Sequence, residues 1–193
     1  MNKKLLLEIY DFVAFVIFAA GIIFFIKFFI LTPFTVVWHS MEPNIHNGDF
    51  LIVDEITPKI KKELSRWQII IFAPPGKDID YIKRIIGLPW DIVKIMSGSV
   101  YICHRYSTGE SCNKLSEPYL PENVKTKAKC WINTFYVESG TYFVLGDNRE
   151  HSTDSRCCFG QACYSGASYL VPKENIIWIP RLRISWLKVY FYK

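Results

Sequence analysis

The chain has 193 residues, half of them hydrophobic and 16% aromatic, with a formal net charge of +5. That length holds one globular unit of ordinary size or two small ones, and so apolar a composition excludes a disordered chain. The lysines and arginines do not cluster into a stripe and no stacking motif lies among them, so nucleic acid is not an expected partner, whereas an anionic lipid surface is.

The first element is hydrophobic. Lys3 and Lys4 precede it, opposed by Glu8 and Asp11; residues 12–26 carry no charge, and beyond Lys27 the apolar run continues to Leu31. A span of about 20 apolar residues crosses a bilayer core, and a lysine near one end can snorkel to the interface. A cleaved export signal is the competing reading, but the small residues Ala19-Ala20-Gly21 are followed by a long apolar run rather than closing one. The expectation is a retained anchor over 12–31, with 1–11 cytoplasmic by the weight of its lysines and the remainder outside.

Six cysteines suit that oxidising side. Cys103 and Cys112 flank the turn-like Ser107-Thr108-Gly109-Glu110 and form the expected pair. Cys157, Cys158 and Cys163 cluster, Cys130 stands apart, and sequence leaves their partners open. A zinc site built from that cluster and His151 is the weaker alternative, because no paired C-x-x-C spacing is present.

Past Pro33 the texture changes to short runs rich in Val, Ile, Phe and Tyr at 34–38, 50–53, 68–72, 81–86, 92–96, 100–103, 142–145 and 176–179. Turn signals such as Asn47-Gly48-Asp49, Pro74-Pro75-Gly76 and Gly146-Asp147-Asn148 separate them. This is the pattern of a mainly β protein with an antiparallel sheet. The stretch 97–140 is more polar, holds three cysteines with Pro118 and Pro121, and reads as a small inserted β lobe. The catalytic β domain is then 32–96 together with 141–193.

Ser40 lies about nine residues past the membrane edge, hence within roughly 30 Å of it. A serine hydroxyl needs a base to become a nucleophile. His39 adjoins Ser40 and faces the other way in an extended strand; His46 and His104 have no carboxylate pattern around them; His151, near Asp147 and Asp154, is the histidine that a triad would use. Lys83 is the stronger candidate. In Tyr81-Ile82-Lys83-Arg84-Ile85-Ile86, alternation puts Lys83 on one face with Tyr81 and Ile85, and Arg84 on the other. Desolvation among apolar groups would lower its pKa, although an isolated strand lysine ordinarily reaches water. The polar run 146–156 after an apolar strand is either a solvated turn or a hydrogen-bonded rim that positions the base.

Four segments in order resemble the type I signal peptidase family: Ser40-Met41-Glu42-Pro43 with the strand Gly48-Asp49-Phe50-Leu51-Ile52-Val53 after it, Tyr81-Ile82-Lys83-Arg84-Ile85-Ile86-Gly87-Leu88-Pro89, Gly146-Asp147-Asn148-Arg149 with Ser152, Asp154, Ser155 and Arg156, and Val171-Pro172-Lys173-Glu174-Asn175-Ile176. The similarity runs from about Pro33 to Ile179 and thins between Ser97 and Gly140. It implies a Ser-Lys dyad on a β fold, with Ser40 as nucleophile and Lys83 as base. It implies Ser152 as the hydroxyl that orients the lysine, Asp154 and Arg156 as a supporting ion pair, and Met41 beside the substrate groove. It implies no metal or cofactor. The partners to expect from it are signal-peptide-bearing preproteins and the lipid bilayer, and the location to expect is the bacterial inner (plasma) membrane, crossed once, with the catalytic domain on the outer, periplasmic side. Departures stand at Trp38, where a small or hydroxyl residue is usual, at Trp90 after Leu88-Pro89, and at Trp67-Gln68 in place of Gly-Asp. Trp38 is therefore a candidate either for the oxyanion hole, through its indole N–H, or for an interfacial anchor. A general leader peptidase is the leading expectation. A dedicated maturation peptidase of a conjugation or secretion system and a non-catalytic membrane-anchored binding module are the alternatives.

Overall fold

A computed structural model describes residues 3–29, 31–106, 109–185 and 188–192. Ile30 of the expected anchor, and Ser107 and Thr108 of the expected turn, lie outside the described residues.

Helix α1 (Lys3–Phe29) is 27 residues long, about 40 Å at 1.5 Å per residue. Its stretch Leu7–Phe24 is apolar and long enough to cross a membrane, and none of that stretch is buried against the rest of the chain. A helix so largely apolar and left unpacked by the described residues has the length and composition of a membrane span.

The rest is β. A large sheet has the order β1 (Leu31–Thr35), β2 (Phe50–Asp54), β11 (Ile176–Ser185), β3 (Ile69–Phe72), β4 (Tyr81–Gly87), β9 (Thr141–Leu145), β10 (Val171–Pro172), with β12 (Lys188–Phe191) paired to β11. A second sheet has the order β7 (Gly109–Lys114), β6 (Ser99–Tyr106), β5 (Ile92–Met96), β8 (Thr134–Tyr136). Every pairing is antiparallel. Strand β11 pairs with β3 through Ile176 and Trp178 and with β2 from Ile179 onward, so it carries the curl of the large sheet, with a bulge beside Pro180.

Three apolar clusters fill the interior. One holds Ile70, Phe72, Ile85, Val144 and Phe159; one lies between the sheets around Val93, Phe135, Phe143 and Leu145; the third holds Val36, Met41, Ile45, Leu51 and Ile71. Gly87 sits where the sheets meet. A Cβ there would fall within 3 Å of Val93, Phe143 and Val137, so only glycine admits this approach.

All six cysteines are paired, as Cys103–Cys112, Cys130–Cys157 and Cys158–Cys163. The first staples the directly opposed residues of β6 and β7. The second ties the 97–140 segment to Cys157, the residue that follows the 146–156 segment. With every sulfur in a disulfide, none remains as a thiolate for a metal.

Two expectations need correction. The strand expected at 34–38 is instead Leu31–Thr35. After Thr35 the chain peels onto the 46–49 turn: Val36 N–H donates to Asp49 O, Gly48 N–H to Val36 O, and Trp38 N–H to Asn47 Oδ1. Strands β7, β8 and β12 were invisible to the hydropathy pattern. In β7 every residue is exposed, so the strand exists because of its ladder with β6 and the Cys103–Cys112 bond, not because one face is buried.

Candidate active site

Ser40 lies in the turn after β1, and Lys83 in the middle of β4. Lys83 Nζ is 2.7 Å from Ser40 Oγ and donates to Ile82 O, also at 2.7 Å. Lys83 is 3% exposed, and its ammonium sits 5.1 Å from the centre of the Tyr81 ring. Burial pushes the amine down to about 8, partly opposed by the carboxylates of Asp154 and Asp147.

Alternation along β4 sends Arg84 the other way, and there it braces the site. It makes a two-pronged pair with Asp147 (Nε–Oδ1 2.8 Å, Nη2–Oδ2 2.5 Å) and stacks on Tyr119 at 4.0 Å. Asp147 also accepts from Asn44 Nδ2 at 2.9 Å. The next residue, Asn148, donates its N–H to Ser40 O and its Nδ2 to His39 O. The Ser40 turn is thus hung from the 146–148 loop, which hangs from β4. Gly146 makes this possible, because a Cβ at that position would strike both Ser152 and the Ser40 carbonyl. Among the described residues nothing accepts from the Ser40 N–H.

Asp154 and Arg156 form a fully buried pair, with Nε–Oδ1 and Nη2–Oδ2 both 2.8 Å. Although burial raises the Asp154 pKa, its bonds from Arg156 and from the Gly146 N–H outweigh that and hold it below the usual carboxylate value. The expected bond from Ser152 to Lys83 is not formed. The Ser152 hydroxyl is buried against Gly146 with no hydrogen-bond partner in good geometry, close enough to Asp154 to favour its charged form. The Lys83 amine turns instead to Ser40 and the Ile82 carbonyl.

Met41 does not line the groove. It is fully buried in the core cluster with Val36 and Ile45, and it shapes the turn from beneath. Trp38 lines the groove, but the alternation that would align it with Ser40 fails, because its φ is +93° and the segment is not extended. Trp67 and Trp90 have φ of +69° and +73°. The three tryptophans that depart from the family pattern therefore all occupy left-handed backbone, where a non-glycine residue costs on the order of 1 kcal/mol. Trp38 is 73% exposed. Trp38→Phe is accordingly expected to keep kcat within about threefold, whereas loss of an oxyanion donor costs about 10²-fold or more. Steady-state kinetics separate the two, and a hundredfold loss would restore the indole as a donor.

His39 bonds Glu42 at 2.7 Å, and His151 borders the groove without a bond from its ring to Ser40. The groove is about 830 Å³, walled by the apolar Phe34, Val37, Trp38, Ile79, Tyr81 and Ile82, with Ser40 and Lys83 on its floor. Arg84, Asn44 and Asn148 escaped the sequence reading as site residues. Arg84 and Asn148 stand in the Lys83-Arg84 and Gly146-Asp147-Asn148-Arg149 segments and Asn44 directly after Ser40-Met41-Glu42-Pro43, but their partners lie more than 60 positions apart.

A serine hydroxyl in contact with a buried lysine amine, at the base of a groove with an apolar wall, is an arrangement suited to acyl transfer. Residues 9–184 match the family described as signal peptidase, peptidase S26. The chain is 35% identical over 161 residues to a signal peptidase I of Bacillus licheniformis, covering 80% of this chain and 81% of that one. It is 33% identical over 163 residues to signal peptidase IB of Staphylococcus aureus (strain COL), covering 77% and 80%. A crystal structure of a signal peptidase I from Enterococcus faecalis V583 aligns with 61% of this chain and 97% of its own, at 30% identity and a TM-score of 0.42. The chain belongs to the signal peptidase family, peptidase S26, a family of serine hydrolases acting on signal-peptide-bearing proteins.

Proposed function

We propose that the chain removes N-terminal signal peptides from exported preproteins through a Ser40–Lys83 dyad, while α1 anchors it in the bacterial plasma membrane with the β domain on the outer face. The observation that carries this reading is the 2.7 Å contact between a nearly inaccessible lysine amine and a serine hydroxyl at the base of the groove.

The steps follow from the chemistry of those groups. Neutral Lys83 takes the Ser40 proton as Oγ attacks the scissile carbonyl. The new oxyanion forms beside the Ser40 N–H, which no described residue occupies. The Lys83 ammonium then gives its proton to the departing amine. Neutral Lys83 next takes a proton from water, whose oxygen attacks the acyl-enzyme carbonyl, and returns that proton to Ser40 Oγ as the acyl–oxygen bond breaks, which restores the free hydroxyl and the neutral amine. Asp154 with Arg156, and Asp147 with Arg84, hold the 146–156 and β4 segments so that the amine need not search for the hydroxyl. The apolar groove receives the signal-peptide side of the bond, and the exposed apolar length of α1 keeps the groove near the lipid that delivers it.

The test combines product identity with pH. Detergent-solubilised protein incubated with a preprotein should yield one new N-terminus by sequencing. Because the base must be neutral and burial places its pKa at about 8, kcat/KM should climb about tenfold per pH unit and level off above pH 8. Stability should move the same way over a higher window. Between about 8 and the free-lysine value near 10.4 the unfolded chain binds more protons, so the fold gains stability as pH rises through that range. A kcat/KM limb centred near 6.5 would point to a histidine base instead.

A further inference from the structure

A second cleft, about 560 Å³, lies against the other side of the Ser40 turn, within the size range of ligand sites. Glu42 and Asn148 line both cavities. We propose that this cleft is the subsite for the first residues of the leaving polypeptide, and that Lys125 and Lys127 make it favour acidic ones. The inference rests on the peptidase reading above.

Geometry requires some such site. A scissile carbonyl at Ser40 is bonded to chain on both sides. If the signal-peptide side fills the apolar groove, the other side must leave across the wall that Glu42 and Asn148 form. The surface met there is polar rather than apolar. Its far wall is the segment after Pro121, in the part of the chain where the family resemblance is thinnest.

That wall is held in place. Thr126 is buried and accepts from the Arg149 guanidinium, and Arg156 Nη1 donates to Lys127 O at 3.2 Å. With Thr126 pinned inward, its exposed neighbours Lys125 and Lys127 face out over the cleft. The charges around them are mostly spent. Asp147 is paired with Arg84 and Arg149 with Glu117, while Glu42 bonds His39 at 2.7 Å, a partner that carries charge only when protonated. Among the described residues, Lys125, Lys127 and Glu150 form no ion pair. Lys125 and Lys127 thus balance Glu42 and Glu150 in formal charge, but the two lysines stand together on the far wall while the carboxylates belong to the near one, so an acidic side chain crossing the cleft meets the lysines first.

The experiment uses the full chain in detergent and three quenched peptides with one acyl side, carrying Glu-Glu, Gln-Gln or Lys-Lys directly after the scissile bond. Wild type should cleave Glu-Glu with a kcat/KM several-fold above Lys-Lys, converging in 1 M salt, where the Debye length is about 3 Å. K125E/K127E should reverse that order, and K125Q/K127Q should bring the ratio near one. A wild-type ratio of one, or a ratio unmoved in both variants while cleavage continues, overturns the subsite and leaves the peptidase reading standing. Wild type that cuts neither these peptides nor a preprotein overturns the peptidase reading, and the subsite with it.

Discussion

Ser40→Ala and Lys83→Met are each expected to lower kcat by roughly 10⁴-fold or more while the protein stays folded. Ser40→Ala removes one oxygen from a half-buried turn. Methionine fills nearly the volume of the lysine stem on β4 and spares the core a cavity, so the second variant tests the amine rather than the packing. The two groups lie 2.7 Å apart and, on the proposed mechanism, act in one proton transfer. The double variant should therefore be no worse than either single one, a non-additivity that independent contributions would not produce. Retention of all three disulfides and of thermal stability would show that each variant is folded. Appreciable turnover by Lys83→Met would remove the dyad and move the base to His151, the histidine that shares the groove with Ser40 together with His39.

The largest expected loss of stability is at Asp154. Its carboxylate faces Arg156, both side chains are fully buried, and it accepts from the Gly146 N–H at 3.1 Å. Asp154→Ala strands a buried guanidinium and an amide together. Removing one partner of a buried pair typically costs about 3–5 kcal/mol. For a chain of this size that is a fall of roughly 10 °C in the unfolding midpoint. Activity should fall as well, because the Gly146 turn that carries Asn148, and through it the Ser40 carbonyl, loses its anchor. Asp154→Asn, which keeps two of the hydrogen bonds but no charge, should lie between. The pH dependence has a definite sign. The folded-state pKa of Asp154 is depressed, so its contribution is complete above the ordinary carboxylate range and is lost as pH falls through the folded value. Equal midpoints for wild type and Asp154→Ala would show that the pair is not holding the loop.

How much of this was legible beforehand depends on the range of the interaction. Hydrophobic run length marks α1, and β-branched runs between turn residues mark β2, β3, β4, β5 and β9, because those signals are local and one face of each strand is buried. The pairing of Cys103 with Cys112 was readable for the same reason, since a short turn closes it. Ser40 and Lys83 were chosen from separate segments, one by a hydroxyl near the membrane edge and the other by a lysine on an apolar face. Nothing in their 43-residue separation says that the two atoms meet.

Tertiary structure decided the rest. It placed the Lys83 amine on Ser40 and Ile82 O rather than on Ser152, because Ser152 is packed against Gly146. It sent Met41 into the core and turned Trp38 out of register, because Val36 and Trp38 bond to the 46–49 turn instead of continuing β1. It also paired Arg84 with Asp147 and Arg149 with Glu117. Residue type, local period and membrane-length hydropathy are properties of neighbours in the chain, and sequence by itself determined the long apolar N-terminal helix, most of the strands and the two side chains proposed to react. The partner of each buried charge, the face a non-extended turn presents and the shape of both clefts come from segments tens of residues apart. Only the packing of the two sheets brings those segments within a few ångströms, where desolvation and hydrogen bonding act.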